Sequence, residues 1–273
     1  MMKKLLFTFF TLFLITGCKR TNNKPTIITT IHPLYSITKA IACDDFNVVN
    51  LIPPGYSPHT YEPTPSDINN LNKANLIIFI GFELETWLYP LIKEKKCNKI
   101  EITKFLKPIN KNPHLWLDPV KVIKVTKKIK ENLLEIKNCQ QIKDRTNLLI
   151  DSLKSLDKKI KKQINSLKTR SYIVYHPAFY YFAKRYGLKE FTITKSPNKR
   201  LTPVDMKRIS NIIKKENIKV IFTEEQNPSE VPYTIASDYG LKVYKLDPIG
   251  KNGEAYIELI EKNLKIIVKA LNE

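Results

Sequence analysis

From Gln140 to Leu167 the sequence contains no glycine or proline. Ile142, Leu149, Leu153, Leu156, Ile160, Ile164 and Leu167 recur there at steps of seven, four, three, four, four and three. That spacing predicts one long amphipathic helix over residues 141–167, about 40 Å in length. Its other face carries Lys158, Lys159, Lys161 and Lys162, which read as solvated surface. A rod of this length divides the chain into an N-terminal and a C-terminal part and limits how far the two can hinge.

On each side of the rod the same kind of pattern appears. Short β-branched runs lie at Thr26–Ile31, Val48–Ile52, Leu76–Ile80 and Ile100–Thr103, and again at Tyr172–Tyr175, Phe191–Thr194, Val220–Thr223 and Val243–Leu246. Helical patterns separate them, with starts such as Asp118-Pro119 and Thr202-Pro203, where a capping side chain precedes a proline at the first helical position. Strands alternating with helices predict mainly parallel sheets. The expected fold class is therefore α/β, with two lobes over residues 25–140 and 168–273. Each lobe is a four-stranded sheet flanked by helices, and the helix over 141–167 links them.

The N-terminus reads differently. Lys3 and Lys4 precede an apolar run from Leu5 to Ile15 that is too short for an ordinary membrane span. A basic start and a short apolar region mark an export signal over residues 1–17. Ile15-Thr16-Gly17-Cys18 resembles the bacterial lipobox, which implies lipidation of Cys18, a tether over 18–24 and a chain anchored outside the cytoplasmic membrane. Cys43, Cys97 and Cys139 would then lie where disulfides are allowed. A Cys97–Cys139 pair with Cys43 simply buried is one possibility, but spacing leaves the pairing open. The 46 lysines and arginines against 26 acids give a net charge of +20. Only six of those cations are arginines and the lysines are spread along the chain, so nucleic acid is not expected as a partner.

Only four histidines occur, His32, His59, His114 and His176. His59 sits in a proline-stiffened loop after the second strand, His114 beyond the fourth and His176 directly after Tyr172–Tyr175. Asp247 follows Val243–Leu246 in the same way. The carboxyl ends of parallel strands are where α/β folds bind ligands. Three imidazoles and a carboxylate suit a borderline divalent metal, Zn²⁺ in the first place.

Four segments now form a pattern: Pro58-His59-Thr60-Tyr61-Glu62-Pro63, Pro113-His114-Leu115-Trp116-Leu117-Asp118-Pro119, Tyr175-His176-Pro177-Ala178-Phe179 and Leu246-Asp247-Pro248-Ile249-Gly250. In this order they resemble the zinc/manganese ABC-transporter solute-binding proteins, from about Pro25 to the C-terminus. The resemblance implies a metal bound between two lobes by His59, His114, His176 and Asp247, and delivery to a membrane permease. A histidine at position 176 favours Zn²⁺ over Mn²⁺ or Fe²⁺ within that family. Asn112 stands where the family commonly has Asp, and no histidine-rich loop lies between His59 and His114.

Other residues are candidates for supporting roles: His32 as a hydrogen-bonding neighbour, Glu62 as a partner or turn residue, Trp116 as packing, Asp118 as a helix cap and histidine-orienting carboxylate, and Glu224 as a polar neighbour. A site closed by four protein ligands leaves no position for an activated water, so a binding protein and not an enzyme is expected. A metallohydrolase with Glu62 or Glu224 as base lacks an HExxH pair, and an adhesion lipoprotein is the remaining rival. A monomer is expected.

Overall fold

The computed structural model describes residues 24–194 and 201–273; the export signal, Cys18 and the tether up to residue 23 lie outside the described residues. The first lobe runs β1 (Thr26–Thr29), α1 (His32–Ile41), β2 (Asn47–Asn50), α2 (Pro65–Asn72), β3 (Ala74–Phe79), α3 (Leu88–Ile92), β4 (Asn98–Glu101) and α4 (Ile102–Phe105). A 3-10 turn over Leu115–Leu117, then α5 (Pro119–Ile136) and α6 (Gln140–Asn165), lead to the second lobe. This runs β5 (Ser171–Val174), α7 (Tyr180–Tyr186), β6 (Lys189–Thr192), α8 (Pro203–Lys215), β7 (Val220–Glu224), α9 (Val231–Tyr239), β8 (Lys242–Leu246) and α10 (Tyr256–Asn272).

Both sheets are parallel and share one topology, β2-β1-β3-β4 and β6-β5-β7-β8. The chain is thus α/β with two four-stranded lobes and a long linking helix. β4 begins two residues before its apolar run, because Ile102 and Thr103 already belong to α4.

Local chemistry sets the helix starts. Asp118 accepts hydrogen bonds from the amides of Val120 and Lys121 at the head of α5. Thr64 and Asp67 form a reciprocal capping box at α2, and Thr202 and Asp205 another at α8. On α6, Ile142, Leu153, Leu156, Ile160 and Ile164 are buried, whereas Lys158, Lys161 and Lys162 are not. That buried stripe joins one core that continues through both lobes, from Ile27 and Leu34 to Tyr172, Phe222 and Leu264. Continuity of this core, packed to near-crystalline density, opposes a wide swing of one lobe against the other.

The packing bears on the cysteine pairing that spacing leaves open. Cys97 packs with Ile28, Ile77 and Phe79 in a separate cluster, while Cys139 and Cys43 both pack on the main core. Cys97 and Cys139 therefore do not pair: each side chain is committed to a different apolar cluster.

Candidate metal centre

Three loops that leave the carboxyl ends of strands converge between the lobes. His59 comes from the loop after β2, His114 from the turn before α5 and His176 from the two residues after β5. One ring nitrogen of each lies within 4.8 Å of those of the other two. His114 and His176 are buried and His59 is nearly so. Together with Ser57, Glu224, Gln226 and Asn227 they border a cavity of about 10 Å³, enough for one water-sized sphere. The same imidazoles also face a wider cleft of about 670 Å³ that Asn112, Tyr180 and Glu190 help to line.

The rings are oriented by hydrogen bonds on their far sides. The Nδ1–H of His176 donates to Glu224 Oε1 at 2.9 Å, and Asn227 secures the other Glu224 oxygen at 2.6 Å. The Nδ1–H of His114 donates to Asn112 Oδ1 at 2.7 Å. Asn112 is itself fixed, because its Nδ2 donates to the Pro177 carbonyl in the other lobe at 2.6 Å. Both contacts leave an Nε2 lone pair free to face the cavity. His114 Nε2 stands 3.2 Å from His59 Nε2. Asn112 does what an aspartate could not, accepting on one side and donating across the lobes on the other.

Burial, helped by the neighbouring His176, pushes His59 down to about 4. Burial and the other two imidazoles hold His114 well below the ordinary histidine range. Three imidazoles, two of them held neutral by burial, crowded around a cavity of one sphere's size favour a cation that prefers nitrogen.

Asp247 is not among the three. Its Oδ1 accepts from Gln226 Nε2 at 2.8 Å and from the amides of Ile249 and Gly250 at 3.1 and 2.8 Å, and its Oδ2 from Lys262 Nζ at 2.7 Å. Asn263 pins its backbone from α10. Burial alone would raise the carboxyl's pKa, but Lys262, Gly250 and Gln226 outweigh it and hold the group below its usual range. Gly250 is required where it stands: its φ is +85°, and a Cβ there would come to 3.2 Å from His32.

The supporting candidates divide. Glu224 meets His176 directly. Trp116 packs with its ring centroid 5.1 Å from that of His114 and donates to the Pro248 carbonyl at 2.7 Å, bridging the lobes. His32 lies outside the cluster and holds the Glu254 carbonyl at 2.9 Å. Asp118 caps α5 and pairs with Arg185, so orienting His114 falls to Asn112 instead. Glu62 is exposed. Gln226 was not foreseen, and no local pattern marks it; its Oε1 is buried without a hydrogen-bond partner.

The family model for the periplasmic component A of the zinc-uptake complex, ZnuA, matches residues 27–270. The chain belongs to the ZnuA family. It is 28% identical over 277 residues to the high-affinity zinc uptake system protein ZnuA of Bacillus subtilis, covering 90% of this chain and 87% of that one. It is 29% identical over 287 residues to the zinc-binding lipoprotein AdcA of Streptococcus pneumoniae, covering 93% of this chain but 57% of AdcA, so it spans little more than half of that relative. Among solved structures, the laminin-binding protein of Streptococcus agalactiae, a bifunctional adhesin and metal transporter, superposes with a TM-score of 0.83 at 26% identity, over 90% of this chain and 99% of that one. The ZnuA family comprises binding components of transporters, which agrees with a cavity built for a single ion.

Proposed function

We propose that this chain captures Zn²⁺ outside the cytoplasmic membrane in the cavity between its lobes and delivers it to an ABC permease. The carrying observation is the set of three imidazoles, two buried and one half-buried, whose ring nitrogens lie within 4.8 Å of one another. His59, His114 and His176 are the protein ligands in this reading, and neutral nitrogen donors favour Zn²⁺ over Mn²⁺. Export of the chain, lipidation at Cys18, domain limits of 1–17, 18–24, 25–140, 141–167 and 168–273, and a monomeric state belong to the same reading. It is supported by the leader sequence and by the zinc-binding relatives.

Asp247 supplies the negative charge of the site, and Gln226 carries it inward. A carboxylate only accepts, so the Gln226 nitrogen faces Asp247 and its oxygen, buried without a hydrogen-bond partner, faces away from it in a side chain that borders the cavity. In this reading that oxygen, or Asp247 itself, completes the fourth side. Gln226→Ala is expected to weaken zinc binding about 10-fold, and Glu224→Ala, which frees the His176 ring, about 10- to 100-fold, as for other groups that orient metal-binding histidines. Competition against a chromogenic zinc chelator measures both; unchanged affinity in either variant removes that residue from the site.

The reading as a whole is tested by stripping the protein with chelator and titrating Zn²⁺ and Mn²⁺ against each other. One tightly bound zinc per chain is expected, displaced by manganese only at large excess. Manganese preference, or no tight binding of either ion, overturns it.

A further inference from the structure

Two thiols that the metal site does not use stand side by side at the far end of the first lobe. Cys43 is buried just beyond the end of α1, and Cys139 is the N-cap residue of α6; both pack on the same continuous core. Burial, and then the Cys139 thiol, pushes Cys43 up, while Cys43 in turn pulls Cys139 down. The two chain segments that carry them are clamped on both sides of the pair. Lys137 Nζ meets Asp45 Oδ2 at 2.6 Å, and Arg145 Nη1 donates to the Ala42 carbonyl at 2.5 Å while its Nη2 stands 3.4 Å from Asp44 Oδ1. Residues 42–45 thus face residues 137–145 in fixed alignment, with a cysteine in the middle of each contact.

We propose that Cys43 and Cys139 form a disulfide bond, tying the end of α1 to the start of the long linking helix. The chemistry is asymmetric in a useful way. The amides of Gln141 and Ile142 at the head of α6, together with the Cys43 thiol, stabilise a thiolate on Cys139 and make it the attacking group. The oxidant is a disulfide, either oxidised glutathione or an oxidised dithiol protein. The Cys139 thiolate attacks one oxidant sulfur, the oxidant's S–S bond breaks and one thiolate leaves. Cys43, as its thiolate, then attacks Cys139 Sγ and expels the second. Two protein thiols are oxidised, one disulfide is reduced to two thiols, and the two protons end on those released thiols. Burial of Cys43 shields the finished bond from reductants. Cys97 stays a free thiol in its own cluster.

An oxidising compartment is part of the proposed function, whereas the pairing itself rests on the clamped alignment of residues 42–45 with residues 137–145. The test takes the full chain, purified in reductant, and exposes it under native conditions to oxidised glutathione. Free thiols are then alkylated and the chain is digested without reduction. Expected is a linked pair of peptides carrying Cys43 and Cys139, lighter by two hydrogens than the separate pair, with Cys97 alkylated. Unfolding of the oxidised chain should lie about 5–10 °C above that of the reduced chain. This gain should vanish in Cys43→Ser and persist in Cys97→Ser. Alkylation of both Cys43 and Cys139 after oxidation, or a link through Cys97, overturns the proposal. Zinc titration of the same samples separates the two readings: zinc binding without the link sinks the disulfide alone, and the link without zinc binding sinks the metal site alone.

Discussion

Replacing His114 with alanine is expected to lower zinc affinity about 100- to 1000-fold. Zinc held by four ligands in small folded sites is worth about 10–16 kcal/mol, so one ligand accounts for roughly 3–4 kcal/mol, or two to three powers of ten. His114 is the most committed of the three imidazoles. It lies 3.2 Å from His59 through Nε2, and its ring centroid is 4.8 Å from that of His176 and 5.1 Å from that of Trp116. Its removal also leaves Asn112 Oδ1 without the ring N–H it receives, although the His114 backbone amide still donates there at 2.9 Å. His32→Ala is the matched control: it deletes a histidine that contacts Glu254 and not the cluster, and should leave zinc affinity within about threefold. Equal losses in both variants would mean that affinity reports the integrity of the lobe contact and not coordination.

The second large effect is in acid. An exposed histidine titrates near 6.5, so two such ligands would together cost about 1000-fold in affinity at pH 5 through proton competition. His59 is pushed down to about 4 and His114 well below its ordinary value, both first of all by burial. The bound state needs the neutral rings, and the free protein already holds His59 neutral down to about pH 4 and His114 neutral well below the ordinary histidine range. Neither therefore has a proton to lose when zinc enters at pH 5. The logarithm of the zinc affinity should rise with pH between 5 and 7 with a slope no steeper than about 1, since at most one ring proton is displaced. A slope of about 2 or 3 over that range would mean that the imidazoles titrate as if in water. The sequence alone suggests a decline from about pH 6; enclosure of the rings postpones it.

Much of this arrangement is legible in the chain. The eight strands, the head of α5 at Asp118-Pro119 and the long helix follow from local periodicity and capping, which need no knowledge of the rest of the molecule. The three histidines stand out because each follows a strand of a parallel sheet. What was not legible depends on contacts between distant positions. Asp247 reads as a ligand by position, and nothing near residue 247 announces that Lys262 on α10 and Gln226 beyond β7 donate to its oxygens. Asn112 reads as a lost charge, whereas its two-sided amide orients His114 and reaches Pro177 across the lobes. The thiols make the same point: spacing left the pairing open, and it is the packing of α1 against α6 that sets Cys139 beside Cys43 and away from Cys97.

The most direct measurement is zinc K-edge X-ray absorption on the chain loaded with one equivalent of Zn²⁺. Three imidazole nitrogens at about 2.0–2.1 Å, an oxygen neighbour and no sulfur at about 2.3 Å are expected. A sulfur scatterer, or fewer than three imidazoles, would contradict a zinc site built from His59, His114 and His176.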